Sequence, residues 1–422
     1  MFTEEILGKV KENLKKAEEG DERDVRLNVA RHLCDIVIEE FPDSLQGRAS
    51  RAHANFYLGN FADVLDDYAA LIKLDPGNYQ IYFNRGITLS RMGKDQEAIE
   101  DYKQAIKIIE AKGKPNEKRL EMLINSYLSK ADALSRLGLF EEAIADCTRV
   151  IEELDPDNVN AYHGRAVLFY RSGEVDKAIP DCSYIIEKLD PKNVIAHNTR
   201  ALAYSRAGRL KEAIADYTKI IEELDEKCSS AHINRAVSFF YTGEHEKGLE
   251  DLNAALKIGA NLDTVFATRA IFSSTEGKFE EGIEYCDKAI KSSKDDSLIA
   301  LALSNKAEYL FLLGRTDESK VAAEEALRKD KDFIPPYFSL GNYFLAAGDK
   351  RKAEENYTKV IQMVEGKKYP RDAEYYAAIG SAFKLSGALM HSEFGAVFDK
   401  LVEEALSKSL ITRRQVELIK QL

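Results

Sequence analysis

Tryptophan is missing from the 422 residues altogether, and methionine and cysteine number five each. The cysteines form no C-x-x-C pair, which argues against a redox motif or a thiolate metal site. No apolar run approaches the ~18 residues of a membrane span, so no membrane insertion is expected. The start, "MFTEEILGKVKENLKK", carries acids and lacks the apolar core of a secretory signal. Positive charge is also in deficit: 60 Lys and Arg stand against 72 Asp and Glu, a formal net charge of −12. Nucleic acid is therefore not expected as a principal partner, because neutralising phosphates needs a clustered basic face. There is no phosphate-binding loop, dinucleotide fingerprint or nucleophile elbow. These absences predict a cytoplasmic protein that is not an enzyme and uses no cofactor or metal.

What is present is repetition. A chain of this length exceeds the size at which one core keeps growing, so it holds several domains or an array. "HGRAVLFYRSGEVDKAIPDCSYIIEKLD" is followed 35 residues later by "NTRALAYSRAGRLKEAIADYTKIIEELD". Glycines closing helix-like segments recur at Gly59, Gly93, Gly138, Gly173, Gly208, Gly243, Gly277, Gly314, Gly348 and Gly387, at spacings of 34, 45, 35, 35, 35, 34, 37, 34 and 39. With the glycine counted as position 15, position 8 is Ala or Gly in all ten units. Position 20 is small except at Val64. Small residues on both sides of a turn let two helices approach closely, and larger apolar residues at helical period fill the remainder. Each unit reads as helix A, a glycine turn, then helix B, stopped by "LDP" at Pro76, Pro156 and Pro191. Pro180, one turn into a helix B, predicts a mild distortion.

Small residues at 8 and 20, an aromatic at 4 (Tyr82, Tyr127, Tyr162, Phe266, Tyr337, Tyr376) and proline at 32 make the chain resemble the tetratricopeptide repeat family. The resemblance covers residues 45–400, in units starting near 45, 79, 124, 159, 194, 229, 263, 300, 334 and 373. A divergent unit (1–44) precedes them, and 401–422 extends the last helix into a cap beginning near Thr412. The family implies an all-α, right-handed solenoid of about eleven helix hairpins, with helix A lining a concave groove. It also implies a scaffold that binds protein or peptide through positions 2, 5, 6, 9, 12 and 13.

Positions 7 and 23 lie equally far from the turn, roughly 12 Å along the hairpin at 1.5 Å per residue. They predict inter-helix ion pairs: Arg85 with Asp101, Arg165 with Asp181, Arg200 with Asp216 and Arg235 with Asp251, joined by Arg51/Asp67 and Lys130/Asp146. Four cysteines (Cys34, Cys147, Cys182, Cys286) share position 24 and read as small core residues, and His197 and His232 at position 4 read as core rather than catalytic. Basic insertions at 111–120 and 364–372 read as longer helix ends and loops.

For binding, position 6 carries a polar ladder that includes Asn84, Thr199, Asn234 and Asn305. Small polar side chains there suit an extended peptide backbone, which offers one donor and one acceptor per residue; they equally suit close helix approach. Position 13 carries Arg91, Arg136, Arg171 and Arg206, then Tyr241. The arginines either grip an acidic extended segment or complement the dipole at the end of helix A. The clamp this family uses for Glu-Glu-Val-Asp tails of heat-shock chaperones is not expected, since Ala49, His53, Asn84, Asn125 and Ser129 match it only at Asn84. Two further roles remain open: stacking end to end as a structural assembly, and sensing peptides as a regulatory module.

Overall fold

A computed structural model of the chain describes residues 2–20 and 22–365. The unit starting near 373, most of the 364–372 insertion and the cap at 401–422 lie outside the described residues. Every described element is a helix, and the fold class is an all-α solenoid. The chain divides into two compact units, 1–168 and 169–422.

In the first unit the helices are α1 (Phe2–Glu18), α2 (Arg23–Glu40), α3 (Leu45–Leu58), α4 (Phe61–Leu74), α5 (Tyr79–Arg91), α6 (Asp95–Ala111), α7 (Glu117–Arg136) and α8 (Phe140–Arg149). Helix α9 (Val159–Ser172) contains the boundary. The second unit continues with α10 (Val175–Tyr184), α11 (Val194–Arg206), α12 (Leu210–Lys219), α13 (Ser229–Thr242), α14 (His245–Lys257), α15 (Leu262–Thr275), α16 (Phe279–Ser292), α17 (Asp296–Leu312), α18 (Thr316–Lys329), α19 (Pro335–Ala346) and α20 (Lys350–Glu365). The 111–120 insertion lengthens α6 and starts α7 early. Arg119 holds the loop between them by donating to the carbonyls of Lys112 and Lys114.

The local reasons are visible in the sequence. Gly208 turns α11 into α12 at φ 74°, a left-handed conformation that a side chain would strain. In "LDPxN" the asparagine starts the next helix A: Asn158 Oδ1 accepts from Ala161 N (2.9 Å) while its Nδ2 donates to Asp155 (2.8 Å), and Asn193 repeats this with Ala196 and Asp190. Helix α10 runs through Pro180 without a break. The small residue at position 20 is a packing requirement at Gly248, where an added Cβ would lie 2.5 Å from the Phe272 ring of the next repeat. Ala at position 8 and Cys at position 24 fill the middle of two hairpins, buried in the pairs Ala131/Cys147 and Ala270/Cys286.

The extra residue of the 35-residue repeats has a definite place. Three helix B segments end in a wide π-helical turn, Val150–Leu154, Ile185–Leu189 and Ile220–Leu224. There Asp155, Asp190 and Asp225 donate five residues back, to Val150, Ile185 and Ile220. In two other repeats Asp75 and Asp330 donate four residues back, to Leu71 and Ala326. One inserted residue widens one turn and leaves the hairpin above it unchanged.

Candidate functional site

The hairpins are held by charged side chains inside the repeat. Arg200 donates from Nε and Nη2 to Asp216 at 2.8 and 2.7 Å, and Arg235 does the same to Asp251 at 2.8 Å for both. Arg51 meets Asp67 and Arg85 meets Asp101 in the same two-pronged way, and Lys130 reaches Asp146 at 2.9 Å. His197 and His232 add a ring nitrogen to Asp216 and Asp251, at 3.0 and 3.1 Å. Arg165 belongs to the first unit and Asp181 to the second, and Asp181 is buried.

The third guanidinium nitrogen has a job that the sequence reading missed. It crosses to position 25 of the preceding repeat: Arg51 to Asp35 (2.8 Å), Arg165 to Thr148 (3.1 Å), Arg200 to Ser183 (3.0 Å) and Arg235 to Thr218 (2.9 Å). Lys306 meets Asp287 in the same register. One arginine thus joins both helices of its own hairpin to the hairpin before it. The signal lay in position 25, polar in these five repeats and Ala69 or Lys103 where Arg85 and Lys130 make no such bond.

Electrostatics separate these pairs. Burial works against the ionised form of Asp216, but hydrogen bonds from Arg200 and His197 outweigh it and hold the carboxyl below the ordinary range. At Asp146 burial wins over the single Lys130 contact and raises the pKa, and its buried Oδ2 accepts no hydrogen bond. Burial also pushes the Cys34, Cys182 and Cys286 thiols up to about 12, which keeps them protonated and unreactive.

Three of the four position-13 arginines reach the preceding repeat. Arg136 grips buried Asp95 through Nε and Nη2 (2.7 to 3.0 Å), with Ser90 and Asp132 beside it. Arg206 lies over the Tyr170 ring at 4.9 Å and donates to its carbonyl at 2.6 Å, and Arg91 lies over the Phe56 ring at 5.3 Å. Arg171 and Tyr241 are exposed.

Successive A helices touch along both units: α1 with α3 and α5 with α7 in the first, and α11, α13, α15, α17 and α19 in turn in the second. Position 6 of these helices carries the polar ladder. Asn84 is exposed, whereas Thr199 and Thr268 are buried and the Thr268 hydroxyl donates to its own helix at Thr264. Asn234 and Asn305 are half-buried, with partly exposed Leu202, Val237 and Ile271 at position 9 of the A helices. Asn305 Nδ2 and, at position 5, Asn198 Oδ1 are buried without a hydrogen bond. Among the described residues no group of three His, Cys, Asp or Glu could hold a metal ion, and no helix is long and apolar enough to cross a membrane.

The tetratricopeptide repeat family matches residues 79–110, 128–194 and 198–263, in register with these hairpins. The chain is a tetratricopeptide-repeat protein. Among curated proteins it is similar to the STIP1 homolog of Dictyostelium discoideum, 29% identical over 109 residues; the match covers 26% of this chain and 17% of that relative. A tetratricopeptide repeat protein from Parabacteroides merdae shares the fold at 19% identity and a TM-score of 0.51, covering 61% of this chain and 97% of the other. The human IFIT1 dimer with m7Gppp-AAAA does so at 15% identity and a TM-score of 0.52, covering 82% and 80%. At these identities the solved structures bear on the fold alone.

Proposed function

We propose that this tetratricopeptide-repeat protein is a non-enzymatic scaffold that takes an extended protein segment along its helix A face. One observation carries the reading. Two polar side-chain atoms at contact positions of that face, the Asn198 Oδ1 acceptor and the Asn305 Nδ2 donor, are buried and unused. Buried polar atoms are ordinarily paired, and a peptide backbone supplies both complements. Within the second unit Thr199, Asn234 and Asn305 then grip backbone, while Leu202, Val237 and Ile271 take side chains; Asn84 holds the same position in the first unit. Arg171 and Tyr241 are the position-13 residues exposed to solvent, and an acidic stretch of the segment would pass beside them. Arg91 and Arg136 in the first unit and Arg206 in the second hold neighbouring repeats together. Five free thiols suit the reducing cytoplasm as the place of action.

The test is a random peptide display library panned on three proteins. These are the wild type, the groove variant Asn198→Leu/Asn305→Leu, and the helix B variant Glu187→Lys/Glu222→Lys. Peptides enriched on the wild type and the helix B variant but lost on the groove variant support the reading. Peptides indifferent to the groove substitutions, or no enrichment at all, refute it.

A further inference from the structure

Hairpin-interior carboxylates in this chain sit beside a cation: Asp67, Asp101, Asp146, Asp216 and Asp251 each have an Arg or Lys within 2.9 Å. On the helix A face Asp132 has Arg136. Glu308 breaks the rule. It occupies position 9 of α17, where the preceding repeats of the second unit place Leu202, Val237 and Ile271. Among the described residues its carboxylate has neither an ion pair nor a hydrogen bond, and burial alone pushes it up to about 7. It is nonetheless partly open to solvent.

The surroundings fix what could pair with it. Leu301, Asn305, Glu308 and Leu312 follow at intervals of four, three and four residues, a single stripe of α17. Lys306 is engaged with Asp287, and Tyr309 is buried with its hydroxyl on the Ala270 carbonyl. No lysine or arginine of the described chain neutralises the stripe. One turn away stands the unused Asn305 Nδ2 donor.

We propose that the Asn305–Glu308 stripe is a subsite for a basic side chain of the bound segment, with Glu308 taking the lysine ammonium or arginine guanidinium and Asn305 a backbone carbonyl beside it. The assignment rests on the groove reading above and adds to it the charge of one partner residue. A cation brought to a desolvated, unpaired carboxylate recovers an interaction that water supplies poorly there. Asn305 favours a polypeptide over a free cation, because a diffusible amine offers no carbonyl acceptor.

The groove-dependent peptides from the panning are the probe. They are expected to share one Lys or Arg, and replacing it by norleucine is expected to weaken binding to the wild type at least tenfold by calorimetry. On Glu308→Gln the lysine and norleucine peptides should bind alike; the peptide comparison on the unmodified protein requires no variant to fold. Groove-dependent peptides lacking a shared basic residue, or norleucine peptides that bind as tightly, overturn the subsite and leave the scaffold reading standing. Competition by free lysine amide at the peptide's own concentration overturns it in favour of a small-cation site.

Discussion

Replacing Arg200 by leucine isolates the energetics of the repeated ion pair. Asp216 is 8% exposed at its side chain and Arg200 15%, so solvent screens the pair little. The substitution removes two of three donors to the carboxylate, leaving His197, and also frees Ser183. Removing one partner of a buried pair costs about 3–5 kcal/mol, most of it from the charge left behind. If that is the source, Arg200→Leu/Asp216→Asn should recover to within about 1 kcal/mol of the wild type, since replacing both partners is near neutral. The chain contains the precedent: Leu340 and Asn356 hold positions 7 and 23 of one repeat, and Asn356 Nδ2 donates to the Lys352 carbonyl one turn back. An asparagine at 216 would keep an acceptor for His197 and use the same outlet. Repeat arrays open locally, so the assay is amide hydrogen exchange across α11 and α12, with urea unfolding as the global check. A double variant as unstable as the single, or a single variant costing under about 1 kcal/mol, would refute the view that the exposed charge sets the penalty.

Three other outcomes are expected. Gly248→Ala places a Cβ 2.5 Å from Phe272, itself 3% exposed, and should lower stability by about 1–2 kcal/mol despite the better helix former; adding Phe272→Leu should relieve part of it in thermal melts. Deleting Glu222 should turn the wide turn at Ile220–Leu224 into an ordinary one and be tolerated, whereas deleting Glu325 from the unwidened α18 should not; circular dichroism melts distinguish them. Lys130→Arg offers Asp146 Oδ2 its missing donor and should stabilise the α7–α8 hairpin by about 1 kcal/mol in hydrogen exchange.

Acid should separate the same hairpins. Asp216 is held below the ordinary carboxylate range, so its contribution is present above the unfolded value, near 4, and is lost as pH falls through the lower folded one. Asp146 is raised, so its folded form binds the proton first and the α7–α8 hairpin gains stability as pH falls toward 4. Exchange protection of α7–α8 relative to α11–α12 should therefore rise on mild acidification. Equal responses would show that the second donor prong and His197 do not distinguish the two carboxylates.

The fold was legible because its determinants are local and repeated: a left-handed glycine, small residues at 8 and 20, and an asparagine after "LDP". Each recurs often enough to separate from chance. The wide turns were half legible. Spacings of 35 among 34 announce one extra residue, but which turn absorbs it depends on the hydrogen bond from Asp155, Asp190 or Asp225, and composition does not encode that. The staple from position 7 to position 25 was hidden because its two ends lie in different repeats, and Asp, Thr and Ser at position 25 look like unrelated surface polars until the guanidinium reaches them.

The arginines at position 13 show how far pattern carries toward a site. Four in register looked like a positive stripe, yet Arg136 is occupied by Asp95 and Arg91 and Arg206 lie over aromatic rings of the repeat before. A recurring residue in a solenoid meets a recurring neighbour, so periodicity selects first for contacts between repeats. A ligand is aperiodic against that lattice, and a residue that reads one feature of it should break the column it stands in. Glu308 breaks a column of Leu202, Val237 and Ile271 and, unlike Asp132 at the same repeat position, has no cation beside it among the described residues. Irregularity combined with an unpaired, half-buried group is the more discriminating mark of a site here, and it becomes visible only once the neighbours are placed.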